Sequence, residues 1–331
     1  MPTYKHAAFI EQALRSVVCQ KVDFHFEVIV CDDCSPDETL DVALEYERNF
    51  PNLVRVLSSD VNIGMQANFR RAVSEAKGMY IAFCEGDDVW TDINKLALQT
   101  KFLEDNSQYG AVHSEFNCLY KSRFGWKIQE RFQASSRPQI PTGDVYYALL
   151  SGMFIQTCTF FCRAELAKSY YLSDHPYQSY QVADWPLCLF IAKQAKIGYL
   201  DEALATYRIA PGSATNLGAA ADLRRALNAI FMINQFCTRN NENSSVRNEA
   251  VSLAYQAAFS AAFDAGDIDH FKSAWQWLIS NDRIHIEWRH KLKRILMHFP
   301  AIVRVAVPII FAIKATALRL KLKKARNNEH P

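Results

Sequence analysis

Two short apolar runs end in acidic turns: residues 28–35 read VIVCDDCS, and residues 80–90 read YIAFCEGDDVW. Each run has the length and apolar content of a strand that is buried on both faces of a sheet. In open α/β sheets, ligands bind in the crevice beyond the carboxyl ends of the strands. The two acidic turns are therefore the first candidates for a functional site.

The sequence around these runs alternates helix and strand signals. The predicted elements are a helix over residues 10–18, a strand over 26–31, a helix over 37–44, a strand over 53–57, a helix over 68–76 and a strand over 79–84. The last strand is apolar throughout, as a central parallel strand should be. This alternation predicts a doubly wound α/β sheet.

Beyond Asp88 the pattern becomes less regular. We predict a helix over residues 96–103, a strand near 111–113, loops or a flap over 121–142, a strand over 157–162, a helix from Asp184, and closing strands over 197–200 and 204–207. After Gly218 the apolar spacing is helical, which predicts packed helices. The expected domains are a catalytic domain over residues 1–215, a helical subdomain over 216–284 and a basic apolar tail over 285–331.

Composition limits the class of protein. Of the 331 residues, 50% are hydrophobic and 22% are charged, which is globular material. The formal charge of +2 hides a basic segment, because residues 286–331 hold eleven Lys and Arg against two acids. The body and the tail are therefore expected to meet different partners, none of them a nucleic acid.

The nine cysteines are an odd number among apolar neighbours, without the spacing of a secreted disulfide framework. Cys31 and Cys34 form a C-x-x-C, but no second pair stands at zinc spacing, so buried thiols are the default interpretation. No signal peptide follows Met1. We therefore expect a reducing, cytoplasmic environment.

The acidic turn after residue 84 has the chemistry of a metal site. Glu85, Asp87 and Asp88 are close enough to repel one another unless a cation lies among them. Such hard oxygen ligands suit Mg²⁺ or Mn²⁺, which also take substrate phosphates as ligands, and Gly86 allows a tight turn. A solvated acidic loop is the alternative interpretation.

Several further motifs accompany this turn in a fixed order. They are Thr3-Tyr4, DDCSPDET at residues 32–39, Asn62-Ile63-Gly64 with Asn68, GMYI at 78–81, and EGDDVW at 85–90. The series resembles the inverting family 2 glycosyltransferases of the GT-A fold, over roughly residues 1–213. The resemblance implies a sugar-nucleotide donor and a divalent metal ion, Mn²⁺ or Mg²⁺.

The resemblance also assigns roles to individual residues. Thr3, Tyr4 and Asp33 match residues that contact the pyrimidine base and ribose, and Asp32 shapes that turn. Asp87 and Asp88 match the pair that binds ribose and metal, with Glu85 as a third candidate metal ligand. Asn62, Gly64 and Asn68 match the nucleotide loop, although a capping Asn and a turn Gly would explain them nearly as well.

An inverting displacement needs a base for the acceptor hydroxyl. Asp184, in the sequence VADWPL, matches the acid that opens the family's acceptor-side helix. The alternative role is an N-cap, which the nearby Pro186 also fits. Arg208 matches a basic residue that pairs with the diphosphate, and Ala210 stands where the family has a histidine.

Three further features depart from the family pattern. Lys5 replaces an Asn, and Glu85 replaces an Asp. The motif that should follow the first strand opens the chain, so this strand lacks residues to form it. Because a central parallel strand is hard to lose without exposing backbone groups, we expect the true start to lie upstream.

The tail combines apolar residues over 295–313 with flanking Lys and Arg. Arg304, Pro300 and Pro308 interrupt the run, so helices lying in the interface of an anionic membrane are favoured over a spanning helix. A true span and a docking surface for a partner helix remain alternatives. The expected location is the inner face of the membrane, to which the protein binds peripherally.

These features predict transfer of a single sugar from a donor linked to UDP or dTDP. The expected acceptor is a glycan or a polyisoprenoid-linked precursor, in the synthesis of surface polysaccharide or lipopolysaccharide. A catalytically silent nucleotide- or glycan-binding module of the same fold is one alternative. A nucleotidyltransferase is another, but no Gly-rich basic loop for a triphosphate is present.

Overall fold

The computed structural model describes residues 1–137, 139–173, 179–210 and 218–281. The chain separates into two compact units, Met1–Asn216 and Leu217–Pro331. Every predicted site residue belongs to the first unit.

Nine strands form two sheets in the described part of the first unit. They are β1 Pro2–Thr3, β2 Val28–Asp32, β3 Val54–Leu57, β4 Tyr80–Ala82, β5 Val89–Trp90, β6 Tyr109–Ser122, β7 Gly125–Gln129, β8 Phe161–Arg163 and β9 Lys196–Ile209. One sheet is parallel, in the order β1-β2-β3. The other is mixed, in the order β4-β8-β6-β9-β5, with β7 paired to β6.

Eight helices connect and cover these strands. They are α1 Ile10–Val18, α2 Thr39–Asn49, α3 Met65–Glu75, α4 Lys95–Asp105, α5 Phe132–Ser136, α6 Tyr146–Ser151, α7 Ala164–Leu172 and α8 Asp184–Ala192. The apolar spacing of α1 buries Ile10, Ala13, Leu14 and Val17 on one face. The predicted α/β alternation of the first ninety residues is confirmed, with ends shifted by a few residues.

The prediction of a central parallel strand at residues 79–84 is wrong in one respect. β4 pairs with β8, and this pairing is antiparallel. The strand is apolar because both of its faces are covered, which a mixed sheet achieves as well as a parallel one. Apolar content therefore indicated burial but not strand direction.

Other expected boundaries also change. The predicted loops over 121–142 begin as a hairpin of β6 and β7, and the predicted strand over 157–162 opens with a 3₁₀ turn, Thr157–Thr159. The two closing strands are one strand, β9, which pairs along β6 with local register shifts. Acidic Asp201 and Glu202 disguise its middle, where the strand is partly exposed.

The expectation that the first strand lacks all its residues is wrong at its carboxyl end. Pro2 and Thr3 pair with Cys31 and Asp32 of β2, and the Met1 amino group donates to the Ile29 carbonyl at 2.6 Å. Ahead of this short strand lies a cavity of about 380 Å³, lined by residues of both β2 and β4. The two sheets are therefore separated by an apolar, strand-sized space.

The second unit contains three helices among its described residues, α9 Ala219–Arg239, α10 Ser244–Ala265 and α11 Ile268–Ser280. Asn243 and Asp267 cap α10 and α11 by accepting backbone N–H groups, and Gly266 ends α10 at φ 72°. Aromatic rings stack between α10 and α11, as do Tyr255 and Trp277, whose ring centres lie 4.0 Å apart. Helices were correctly predicted here.

The described helices include none that is long and apolar enough to span a membrane. The predicted interfacial tail lies outside the described residues. All nine cysteines are free thiols; seven are buried, Cys34 is half-buried and Cys19 is exposed.

Candidate functional site

The acidic turn lies between β4 and β5, against the end of β1. The Gly86 N–H donates to the Pro2 carbonyl at 3.3 Å, and the Asp88 N–H donates to the Glu85 carbonyl at 3.1 Å. A Cβ at Gly86 would lie 2.5 Å from Thr3 Oγ1 and 2.7 Å from His6 Nδ1. The turn can therefore approach Thr3 only because residue 86 has no side chain.

The three carboxylates of this turn have different surroundings. Asp88 is fully buried, and its Oδ1 accepts the Arg208 N–H at 2.8 Å, while its Oδ2 has no partner among the described residues. Burial and the charge of Asp87 raise the pKa of Asp88. Burial followed by the charges of Asp88, Asp87 and Asp184 raises the pKa of Glu85. The turn thus concentrates negative charge that no nearby protein cation neutralises fully.

His6 also belongs to this site, although no sequence motif singles it out. Its Nε2 lies 3.8 Å from Asp87 Oδ1, and its Nδ1 lies 3.1 Å from Thr3 Oγ1. The contact to Asp87 crosses from the chain start to the second acidic turn. Only this long-range proximity reveals the residue, since a lone histidine after Lys5 carries no motif.

Asp33 organises the loop that carries Asn62 and Gly64. Its two carboxylate oxygens accept the Ile63 N–H at 2.7 Å and the Gly64 N–H at 2.9 Å, and the Asn62 amide donates to the Asp33 carbonyl at 3.1 Å. Gly64 has φ 85° and precedes α3. The structure therefore brings these predicted residues together and fits a turn role for Gly64.

Asp32 and Asn68 are buried beside this loop. Asp32 accepts the Ser35 N–H at 3.0 Å through Oδ2, which matches a turn-shaping role. Asn68 lies inside α3 and donates to the Cys31 carbonyl at 2.8 Å, so it does not cap a helix. Arg71 donates to Asn68 and to the Asp32 carbonyl. These side chains fix the end of β2 and make few groups available to a ligand.

Tyr4 is the exposed member of the first motif. Its ring is 38% exposed, and Lys5 Nζ lies 5.0 Å from its centre. Thr3 is only 3% exposed and faces His6. Of this pair, Tyr4 is the residue that offers a flat aromatic surface to a base.

Asp184 is the first residue of α8, and Ala183 occupies the cap position without a side-chain hydrogen bond to the helix. Asp184 Oδ1 accepts the adjacent Trp185 N–H at 2.8 Å, and Oδ2 accepts the Thr157 hydroxyl at 2.9 Å. Burial raises the pKa of Asp184, and these two donors oppose that rise. Its charge also acts on Glu85, so Asp184 lies within electrostatic reach of the acidic turn.

Arg208 is held more tightly than the sequence suggested. Its guanidinium donates to Gln12 Oε1 at 2.6 Å and lies 4.5 Å from the Phe9 ring centre and 5.8 Å from that of Trp126. Only 6% of the residue is exposed. Phe9, Gln12 and Trp126 are site neighbours that sequence reasoning missed, because the start of α1 and β7 both lie far from Arg208 in the sequence.

The described residues contain no ready-made group of three metal-ligating side chains. The chemistry of the acidic turn nevertheless fits a divalent cation, because Asp88 Oδ2 is buried without a partner among the described residues, and burial and neighbouring carboxylates raise the pKa of Glu85 and of Asp88. A hard cation would neutralise that charge through oxygen ligands. Asp87 and Asp88 are the residues that would hold it, with Glu85 beside them.

The chain is similar to several known proteins. A family model described as glycosyl transferase family 2 matches residues 1–168. An uncharacterised protein of Mycobacterium tuberculosis is 34% identical over 206 residues, 62% of this chain and 56% of that protein. The putative teichuronic acid biosynthesis glycosyltransferase TuaG of Bacillus subtilis is 34% identical over 106 residues, 32% of this chain and 41% of TuaG. The chain spans about half the length of these relatives.

The fold has a solved counterpart in the mannosyltransferase PcManGT of Pyrobaculum calidifontis, determined with GDP-Man and Mn²⁺. It aligns with a TM-score of 0.51 at 18% identity, over 93% of this chain and 84% of that one. The likeness shows the expected GT-A fold. Since the family model covers more than half of the chain and includes both acidic turns, the chain belongs to glycosyl transferase family 2.

Proposed function

We propose that this protein transfers a single sugar from a nucleotide-sugar donor to a glycan or polyisoprenoid-linked acceptor, with inversion at the sugar carbon. The observation that supports the proposal is that Asp184 is held by the Trp185 N–H and by Thr157, which lies in a turn that Trp90, two residues beyond Asp88, also contacts. The acidic turn supplies ligands for a donor's metal ion, and Asp184 supplies a base. A binding module would need the metal ligands but not the base.

The donor side is proposed to involve both acidic strand ends. Tyr4 offers an exposed ring to the base, and Asp33 holds the Asn62–Gly64 loop in place beside it. A divalent ion on Asp87 and Asp88, Mn²⁺ or Mg²⁺, would act as a Lewis acid on the departing diphosphate. UDP and dTDP are the nucleotides expected from the motif. GDP is a third candidate, because PcManGT was solved with GDP-Man.

The acceptor side is proposed to centre on Asp184. Its carboxylate would accept the proton of the attacking hydroxyl while that oxygen displaces the nucleoside diphosphate in a single step. One displacement inverts the configuration of the sugar carbon. Arg208, buried between two aromatic rings, holds the acidic turn through its backbone, and its guanidinium adds positive charge near Asp88.

The biological setting is proposed from relatives and from the tail. TuaG is named for teichuronic acid synthesis, which supports a role in surface polysaccharide or lipopolysaccharide synthesis. A lipid-linked acceptor would explain a basic apolar tail that lies on the inner membrane face. That placement is part of the proposal.

A panel of sugar nucleotides tests the function. Thermal shift with and without Mn²⁺ would identify the donor, and chromatography of the products would then follow its turnover. We expect one donor class to raise the melting temperature only with the metal, and we expect wild type to consume it. Metal-dependent donor binding without any turnover, with the acceptor classes above supplied, would instead favour the silent binding module.

A further inference from the structure

We propose that Thr157 is a positioning residue for Asp184, and that the 157–159 turn is a rigid support that links Asp184 to the acidic turn. This inference rests on the proposed role of Asp184 as the base. Thr157 is 5% exposed, and its hydroxyl donates to Asp184 Oδ2 at 2.9 Å. The sequence favoured a buried strand at this point, with a pocket-lining Thr157 as the alternative.

The hydroxyl completes a two-point hold on the carboxylate. The Trp185 N–H fixes Oδ1 from the helix side, and Thr157 fixes Oδ2 from the turn side. Together these donors define the plane of the carboxylate. A carboxylate oxygen can accept a second hydrogen bond, so each oxygen keeps room for the proton of an acceptor hydroxyl. Without Thr157, the carboxylate would rotate about its χ2 angle, which is a soft torsion.

The turn itself is held by buried side chains. The Trp90 indole N–H donates to the Cys158 carbonyl at 3.1 Å, and the Gln99 amide donates to the Thr159 carbonyl at 2.7 Å. Lys95 donates to Gln99 Oε1 at 2.6 Å and lies 4.2 Å from the centre of the Trp90 ring. Lys95 and Gln99 are fully buried. Gln99 thus holds the backbone of the turn directly, and Lys95 holds the Gln99 side chain.

This support begins next to the metal-site carboxylates. Trp90 is two residues beyond Asp88 and belongs to β5, which directly follows the acidic turn. One buried network therefore connects Asp88, through Trp90 and the 157–159 turn, to Asp184. We infer that it sets the spacing between the proposed base and the metal ligands, a spacing on which an in-line displacement depends.

Thr157→Val removes the hydroxyl while nearly preserving side-chain shape. Thr159→Val is the matched control, because Thr159 is also buried in the same turn and its hydroxyl donates only to the Gln156 carbonyl at 2.7 Å. We expect Thr157→Val to lower kcat about tenfold with donor KM within about twofold. Thr159→Val should leave kcat at the wild-type value. Thr157→Ser retains the hydroxyl, so its kcat should also be close to the wild-type value.

A double-mutant cycle makes the test specific. In an Asp184→Asn background, adding Thr157→Val should cause little further loss, because the two residues act as a unit. Equal kcat losses in Thr157→Val and Thr159→Val, or additive losses in the cycle, would overturn the inference while leaving the proposed function intact. An inactive wild type would instead count against the proposed function.

A second readout does not require turnover. Carbon-13 NMR of selectively labelled Asp carboxyls reports the titration of Asp184, whose titratable neighbours are Glu85 and the Cys188 thiol. Loss of the Thr157 donor should move that titration to higher pH, since a hydrogen bond to a carboxylate favours its charged form. The same titration in Thr157→Val and Thr159→Val would contradict the proposed contact.

Discussion

Asp87 and Asp88 are adjacent in sequence but differ in what they can do. Asp88 is fully buried, and one of its carboxylate oxygens accepts the Arg208 N–H. Asp87 is partly exposed and faces His6 at 3.8 Å. The motif could not separate them, because their difference arises from β9, which lies about 120 residues further along the chain. Their partners show Asp88 to be the anchor of the turn and Asp87 to be its accessible acid.

Lys95 is a buried cation whose stability effect can be measured. Burial lowers its pKa from 10.5 to about 8. Between these values the unfolded chain keeps a proton that the folded chain has lost, so the free energy of unfolding should rise with pH. Over the full window the gain is about 3 kcal/mol, from 1.36 kcal/mol per pKa unit.

Urea unfolding of wild type and Lys95→Met from pH 7.5 to pH 10 checks this expectation. Other groups titrate in both proteins and cancel in the difference. Wild type should gain about 2 kcal/mol relative to the variant across that range. Parallel pH dependences would mean that folding does not lower the pKa of Lys95.

Residues whose roles depend on local sequence were predictable, and those that depend on long-range contacts were not. The acidic turns and the turn position of Gly64 follow from neighbouring residues. His6, Phe9, Trp126 and the Thr157 hydroxyl acquire their places only when distant segments meet. Asn68, predicted to shape or contact the nucleotide loop, donates to the Cys31 carbonyl in β2, a contact that the motif does not show.

Strand direction and strand ends were the least predictable features of the elements. β9 contains acidic Asp201 and Glu202, which interrupt its apolar pattern although the strand continues. β4 is apolar like a parallel strand but pairs antiparallel with β8. The apolar pattern of a strand indicates which of its faces are buried, whereas the direction of its pairing is decided by tertiary structure.

The backbone groups that border the space ahead of β1 are arranged for pairing with a further strand. Backbone N–H groups of β2 alternate between its two neighbours: Val28 donates to Leu53, while Cys31 donates to Met1. By this alternation the Ile29 N–H points toward the space. Just after β4, the Phe83 N–H donates to the Phe160 carbonyl, which precedes β8. The backbone N–H and C=O groups of Tyr80 and Ala82 therefore point away from β8. Both borders of the cavity therefore present ladder groups.

An added strand should fill this space. A five-residue apolar, β-branched extension placed before Met1 should pair with β2 and raise the melting temperature by on the order of 5 °C, at about 2–4 °C per kcal/mol. An extension of equal length with alternating prolines cannot donate to the ladder and serves as control. Equal melting temperatures for the two extended proteins would contradict strand pairing at this site.

The two compact units divide the expected tasks. The first unit holds every candidate site residue, while the second contributes helices α9 to α11. The family model ends at residue 168, before Asp184 and Arg208. The family match therefore includes both acidic turns, whereas Asp184 and Arg208 lie beyond it.

The basic tail provides a test at the level of the intact protein. Deleting residues 295–331 should abolish flotation with anionic vesicles, and raising the salt concentration should weaken flotation of the full chain. Donor binding by the shortened protein serves as the control for folding. Flotation that persists after the deletion would place membrane contact elsewhere in the chain.

Calorimetry of nucleotide binding with Mn²⁺ tests the central claim most directly. UDP, dTDP and GDP would be titrated into wild type, Asp87→Asn and Asp184→Asn. We expect wild type and Asp184→Asn to bind one of these nucleotides equally and only with the metal, and Asp87→Asn to lose about tenfold or more in affinity. Metal-independent binding, or equal affinity in Asp87→Asn, would contradict a metal site at the acidic turn.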